Sequence, residues 1–181
     1  QDWMAWAACA AGPAFEGGGI KFGMRASVGA IENFHIHPET LEPMIVTVEH
    51  SKPRGICGSG LISIVSELLE AGVIDQQGKF NRRLEHSRIR EGDDGYEYVL
   101  AWDKDALAGE DIVITEVDLD NLIRAKGAMY AGYQTLLESV GMTFADLERV
   151  ILAGNFGAYI DLERAICIGL LPDIEREKFF F

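Results

Sequence analysis

Cysteine is scarce in this chain, and the scarcity is informative. Three residues, Cys9, Cys57 and Cys167, are spread over 181 positions among small or apolar neighbours. An odd count without pairing rhythm excludes a disulfide framework and predicts reduced, buried thiols in a cytoplasmic protein. No C-x-x-C occurs, so the chain by itself cannot hold a four-cysteine iron–sulfur cluster. Basic residues are few as well: 16 Lys plus Arg stand against 29 Asp plus Glu, a formal net charge of −13. Such a surface repels phosphate backbones, which argues against nucleic acid as a partner; it suits plain solubility, or a basic patch on a protein partner. No apolar run approaches about 18 residues, so no membrane span is expected, and no basic start marks a signal peptide.

What the chain does have is apolar bulk and glycine. At 48% hydrophobic over 181 residues it can bury one sizeable core, so one domain over 1–181 is the expectation. It opens on Gln1-Asp-Trp-Met-Ala-Trp6 and closes on Lys178-Phe-Phe-Phe181. Terminal aromatics of this kind need further chain to cover them, so a fragment of a longer protein is expected.

Alternating and β-branched stretches predict strands over 3–10, 24–37, 44–49, 96–102 and 111–115. Residues 13–19 read as a short helical turn. Leu61, Ile62, Ile64, Val65, Leu68 and Leu69 form the apolar face of a buried helix ending at Gly72. The charged stretch 81–95 reads as a surface loop. Thr115-Glu-Val-Asp118 is a capping-box pattern heading the longest helix, whose apolar positions run from Leu119 to Val140 and stop at Gly141. Residues 150–153 read as a buried strand, and Asp161 as the cap of a following helix that ends at Gly169. Strands alternating with helices give an α/β domain with a central mixed sheet.

Three glycine-rich corners punctuate this pattern: Gly12 to Gly19, Gly58-Ser59-Gly60, and Gly154-Asn155-Phe156-Gly157. A strand, a bare turn and a helix N-terminus together suit nucleotides and other anions, although any one such corner is equally a structural turn. The blocks AACAAGPAFEGGGIKFGMRA, GICGSGLI, DLDNLIRAKGAMYAG, ILAGNFGAYID and IGLLPD, in that order over residues 7–173, carry a more specific signal. Together they resemble the C-terminal ATPase region of ATP-dependent reductive activators of corrinoid proteins. That resemblance implies the acetate-kinase/sugar-kinase/heat-shock-chaperone/actin nucleotide-binding fold, with this chain as its second lobe. It also implies ATP with Mg as ligand and a [2Fe–2S] cluster in a part of the protein outside this chain. The implied partner is a corrinoid protein or a corrinoid-dependent methyltransferase, and a homodimer is a further expectation.

On this resemblance Gly154 to Gly157 occupy the position of the adenosine-contacting loop. Asn155 is placed to bond a ribose hydroxyl or phosphate, and Phe156 to stack on the base or fill the core. Gly12, Glu16 and Gly17 resemble the glycine loop that follows the phosphate hairpin, with Glu16 either contacting ribose, holding magnesium through water, or simply complementing a helix dipole. Gly58 and Ser59 either offer amides and a hydroxyl to a phosphate, or serve as an N-cap and a close-packing glycine. Lys126 interrupts an apolar stripe and either reaches into the nucleotide cleft or snorkels to solvent. His35 and His37 share one side of a strand at a chelating spacing, but no third ligand accompanies them in sequence. The expected activity is the return of Co(II) corrinoid to Co(I). The alternatives are a kinase or dehydratase activator of the same fold, or a non-enzymatic lobe that docks a corrinoid protein.

Overall fold

The computed structural model describes residues 4, 6–154 and 159–181. Strand β1 (Ala30–Ile36) is the middle of a three-stranded sheet, flanked by antiparallel β2 (Pro43–Thr47) and parallel β3 (Gly55–Ile56). Helix α1 (Gly58–Glu70) follows β3 directly and lies on β1. Glycine at position 60 is what permits this approach, since an added Cβ would run into the Ile31 carbonyl oxygen. Phe34, Ile31, Ile56, Leu61, Ile62, Ile64 and Leu68 are fully buried between helix and sheet. Each such side chain contributes about 1.5–3 kcal/mol relative to exposure.

A second, antiparallel sheet has the order β4 (Ile89–Gly92), β5 (Gly95–Ala101), β6 (Ile112–Thr115). It joins the first core through Tyr98, whose ring meets Phe34 edge-on at 6.2 Å. The buried Tyr98 hydroxyl donates to the Leu41 carbonyl at 2.8 Å. Strand β6 runs into the longest helix, α2 (Glu116–Ser139). Its capping box is complete: Thr115 Oγ1 accepts from the Asp118 amide, and the Asp118 carboxylate accepts from the Thr115 amide. The buried residues of α2 are Asp118, Leu119, Leu122 and Ala125, all in its first half. A third element of sheet is two parallel strands, β7 (Val150–Ile151) and β8 (Phe179–Phe180). Between them lies the short helix α3 (Leu162–Cys167), with Asp161 accepting the Arg164 amide at 3.1 Å as its cap.

The α/β class with a mixed sheet is therefore observed, but the single central sheet is not: the described strands form three separate sheets. The expected strand over 3–10 is absent from its described part, since Met4 and residues 6–10 belong to no strand and are exposed. Only Val150–Ile151 of the expected buried strand pair, and Ile151 is 71% exposed because β8 is its sole described neighbour. The second half of the stretch 81–95 is a hairpin arm, because Ile89–Gly92 find a register with β5. Of the three thiols only Cys57 is buried. Cys9 lies on the exposed leading segment, and Cys167 is the last residue of α3.

Candidate functional site

The first glycine corner folds as a single 3-10 turn, Ala14–Glu16, that buries Ala14 and packs on both α1 and α2. Gly12 precedes it with φ +70, exposed, and with no described atom within 4 Å of where a Cβ would stand. Gly17 closes it with φ +87, and here space is short: a Cβ would lie 2.6 Å from the Met24 amide nitrogen. Gly17 is thus required by chain packing, whereas the open side of Gly12 can admit a ligand. Glu16 is exposed at the end of the turn.

Beyond the turn the backbone is held from α2. The Lys21 amide donates to Asp118 Oδ1 at 2.7 Å, and Asn121 Nδ2 donates to the Gly19 carbonyl at 2.7 Å. Asp118 is 1% exposed, and its burial pushes its pKa up against the opposing pull of the Thr115 and Lys21 amides. The capping box was legible in the sequence; this second use of the carboxylate was not, because its partner is 97 residues away.

At the second corner Cys57, not Ser59, is the N-cap of α1, and Gly58 and Ser59 are its first two helical residues. The reason is local geometry. Cys57 is extended (φ −93, ψ 173), and its thiol donates to the Ile31 carbonyl at 3.2 Å, so the chain turns helical one residue after β3 leaves the sheet. The Ser59 hydroxyl lies 3.3 Å from the Cys57 sulfur. First-turn amides of a helix have no intrahelical acceptor, so Gly58, Ser59 and Gly60 direct N–H groups out of the N-terminus of α1.

At the third corner Gly154 is exposed with φ +95, and no described atom lies within 4 Å of its Cβ position. Asn155, Phe156 and Gly157 lie outside the described residues. Helix α3 begins just beyond them and is tied to the first sheet by Arg164. That guanidinium bonds Glu67 Oε1 at 2.9 Å, Asn33 Oδ1 at 2.5 Å, the Ser63 hydroxyl and the His35 ring. Arg164 and Glu67 side chains are 12% and 17% exposed. No local pattern announces this cluster, which unites residues of β1, α1 and α3. His35 is engaged there, and His37 Nδ1 accepts from the Glu39 and Thr40 amides, so both rings have protein partners.

Lys126, half-buried on α2, donates to the Ile168 carbonyl at 2.5 Å, at the C-terminal end of α3. Burial holds its pKa below the ordinary lysine value. The described contacts thus join the corners through α1 and α2: the Ala14–Glu16 turn rests on both helices, and α3 is bound to α1 by Arg164 and to α2 by Lys126.

The model of the C-terminal domain of RACo, the ASKHA domain, matches residues 1–181. The chain belongs to this family. It thereby has the actin-like ASKHA fold, of which the corners just described are parts. A solved structure titled reductive activator for corrinoid, iron-sulfur protein superposes with a TM-score of 0.93 at 52% identity, over 98% of this chain and 28% of that one. The corrinoid activation enzyme RamQ of Eubacterium limosum is 34% identical over 177 residues, 93% of this chain and 29% of the relative. The [Co(II) methylated amine-specific corrinoid protein] reductase of Methanosarcina barkeri is 30% identical over 198 residues, 97% of this chain and 32% of the relative. The ASKHA chain thus spans under a third of the length of each. Among its described residues no helix is long and apolar enough to cross a membrane.

Proposed function

We propose that this ASKHA chain is the nucleotide-binding part of a longer reductive activator that returns a corrinoid protein from Co(II) to Co(I). The match that carries the reading is the 0.93 TM-score at 52% identity with a reductive activator, extending over 98% of the chain. A reduced [2Fe–2S] centre outside this chain would supply the single electron that cobalt gains. Three cysteines, with no C-x-x-C among them, do not supply the four thiolates of such a centre, so the residues of this chain would not hold it.

ATP supplies the driving force, and the chain's own residues hold it. The open backbone at Gly154 and Gly12 admits base, ribose or phosphate where a side chain would intrude. The first-turn amides at Gly58 and Ser59 offer donors to phosphate oxygens. The Arg164 cluster and the Lys126–Ile168 bond hold α3 against α1 and α2, so movement at the Gly154 corner is transmitted to the rest of the domain. Nucleotide can then favour one arrangement of the activator on its corrinoid partner by its differential affinity for that arrangement.

The test is spectroscopic. The full-length activator, reduced and mixed with a Co(II) corrinoid protein, yields Co(I) absorbance only when Mg-ATP is present. Reduction at an equal rate without nucleotide, or failure of the full-length protein to bind Mg-ATP, removes the reading.

A further inference from the structure

We infer that Asp118 and Asn121, on the first turns of α2, are positioning residues that hold the glycine turn 17–21 in its nucleotide-ready shape. This deepens the nucleotide-binding reading and rests on it. Gly17, Gly18 and Gly19 in succession have no side chains with which to anchor themselves, and two of them take positive φ, +87 and +74. Glycine surrenders more backbone freedom on ordering than any other residue. A run of three therefore holds one conformation only if its backbone groups are tied from outside.

Hydrogen bonds supply these ties. At the start of the turn the Gly17 and Gly18 amides donate back to the Ala14 and Pro13 carbonyls. At its end the Met24 amide donates to Ile56. Between these, the Gly19 carbonyl accepts from Asn121 and the Lys21 amide donates to Asp118. Both α2 residues project from the same helix end, so the turn is fixed relative to the helix that also carries Lys126.

Asp118 performs two tasks with two oxygens. Oδ2 accepts the Thr115 amide at 2.9 Å, which closes the helix cap; Oδ1 accepts the Lys21 amide at 2.7 Å, which seats the turn. Both partners are N–H donors, so the position demands two acceptors. Asparagine offers one acceptor and one donor, and leaves one of the two amides facing an N–H. The side chain of Lys21 itself extends to Asp94, at 3.5 Å, so it is the backbone amide and not the ammonium that bonds Asp118.

The two tasks separate by mutation. Thr115→Ala removes the hydroxyl half of the cap and leaves the Lys21 bond intact. Asp118→Asn and Asn121→Ala strike the turn. In the full-length protein, amide exchange at Lys21 rises at least about tenfold in Asp118→Asn, and Thr115→Ala leaves it within about twofold of wild type. The dissociation constant for Mg-ATP rises about tenfold or more in Asp118→Asn and about threefold or more in Asn121→Ala, and is unchanged in Thr115→Ala. Unaltered exchange at Lys21 in Asp118→Asn overturns the positioning role whether or not nucleotide binds. Faster exchange with unaltered ATP affinity overturns the link to the nucleotide. A wild-type protein that binds no Mg-ATP fails the functional reading instead, and the exchange measurement then decides by itself whether Asp118 seats the turn.

Discussion

The Lys126 ammonium of α2 donates to the Ile168 carbonyl, 42 residues along the chain, and so closes the C-terminal end of α3. A cation at a helix C-terminus meets the negative end of the dipole and an orphan carbonyl at once. This accounts for a lysine in the otherwise apolar stripe of Leu122, Ile123, Met129 and Tyr130. Gly169 follows with φ +71, and its Cβ position is 3.6 Å from the ammonium. Lys126→Met is expected to lower stability by about 0.5–1.5 kcal/mol, the net value of one hydrogen bond. Mg-ATP affinity of the full-length protein should stay within about twofold of wild type. A melting curve and a titration on the same variant decide it. Weaker nucleotide binding at unchanged melting temperature would place the ammonium in the cleft instead.

Arg164 offers a larger effect. Its guanidinium is mostly buried and binds Glu67, Asn33, Ser63 and His35 together, across three elements. Removing it leaves the Glu67 carboxylate, itself 17% exposed, without its main cation. Arg164→Ala should cost about 1–3 kcal/mol. Urea unfolding with an unchanged slope would confirm a loss of stability and not of compactness. A change below about 0.5 kcal/mol would show that α3 is held by its apolar contacts alone. Because α3 begins just after the Gly154 corner, the same substitution should also loosen exchange at 159–162.

Much of this architecture was legible in the sequence, and what was not has a common cause. The capping box at Thr115 and Asp118, the face of α1 and the cap at Asp161 are local patterns, set by residues three or four apart. The long-range bonds are not local. Lys21 finds Asp118 across 97 positions, and Arg164 finds Ser63 across 101. Nothing in a window of helical length announces either. Strand β4 escaped for another reason: Arg90 and Glu91 make it look like a loop, yet Arg90 is neutralised by Glu97 at 2.8 Å and Asp111 at 2.9 Å. The division into three sheets likewise depends on which strands meet, which alternation along one strand does not specify.

Tyr98 ties both sheets and titrates with a definite sign. Burial pushes its phenol far above the ordinary value of 10.0, because the anion would lie in the core. With the folded pKa raised, the native state binds more protons than the unfolded chain once pH exceeds about 10, so stability falls as pH rises from there. Below that pH the contribution is fully present. Tyr98→Phe keeps the ring against Phe34 but removes the bond to Leu41, and should cost about 1 kcal/mol at neutral pH. In the variant the alkaline loss of stability above about pH 10 should be shallower than in wild type. Parallel pH–stability curves would sink the assignment.

The sharpest test of the third corner is Gly154. Its φ of +95 is one that a branched residue scarcely adopts, yet no described atom crowds its Cβ position. The cost of Gly154→Val is therefore backbone strain without a packing clash, about 1–3 kcal/mol. A folded domain is expected to tolerate that. Nucleotide bound against the bare backbone would not tolerate it, because the valine methyls fill the open side of the turn. ATP hydrolysis by the full-length protein should fall to background, while its circular dichroism and cooperative melting are retained at a lower temperature. Should the variant retain hydrolysis, the corner does not touch nucleotide. Should it fail to fold, Gly154→Ala serves as the second variant, since one methyl imposes a smaller φ penalty with less bulk. Hydrolysis and Mg-ATP affinity that fall in the order glycine, alanine, valine while the alanine variant melts near the wild-type temperature are what steric exclusion of a ligand produces; hydrolysis that falls only in step with the melting temperature marks backbone strain instead.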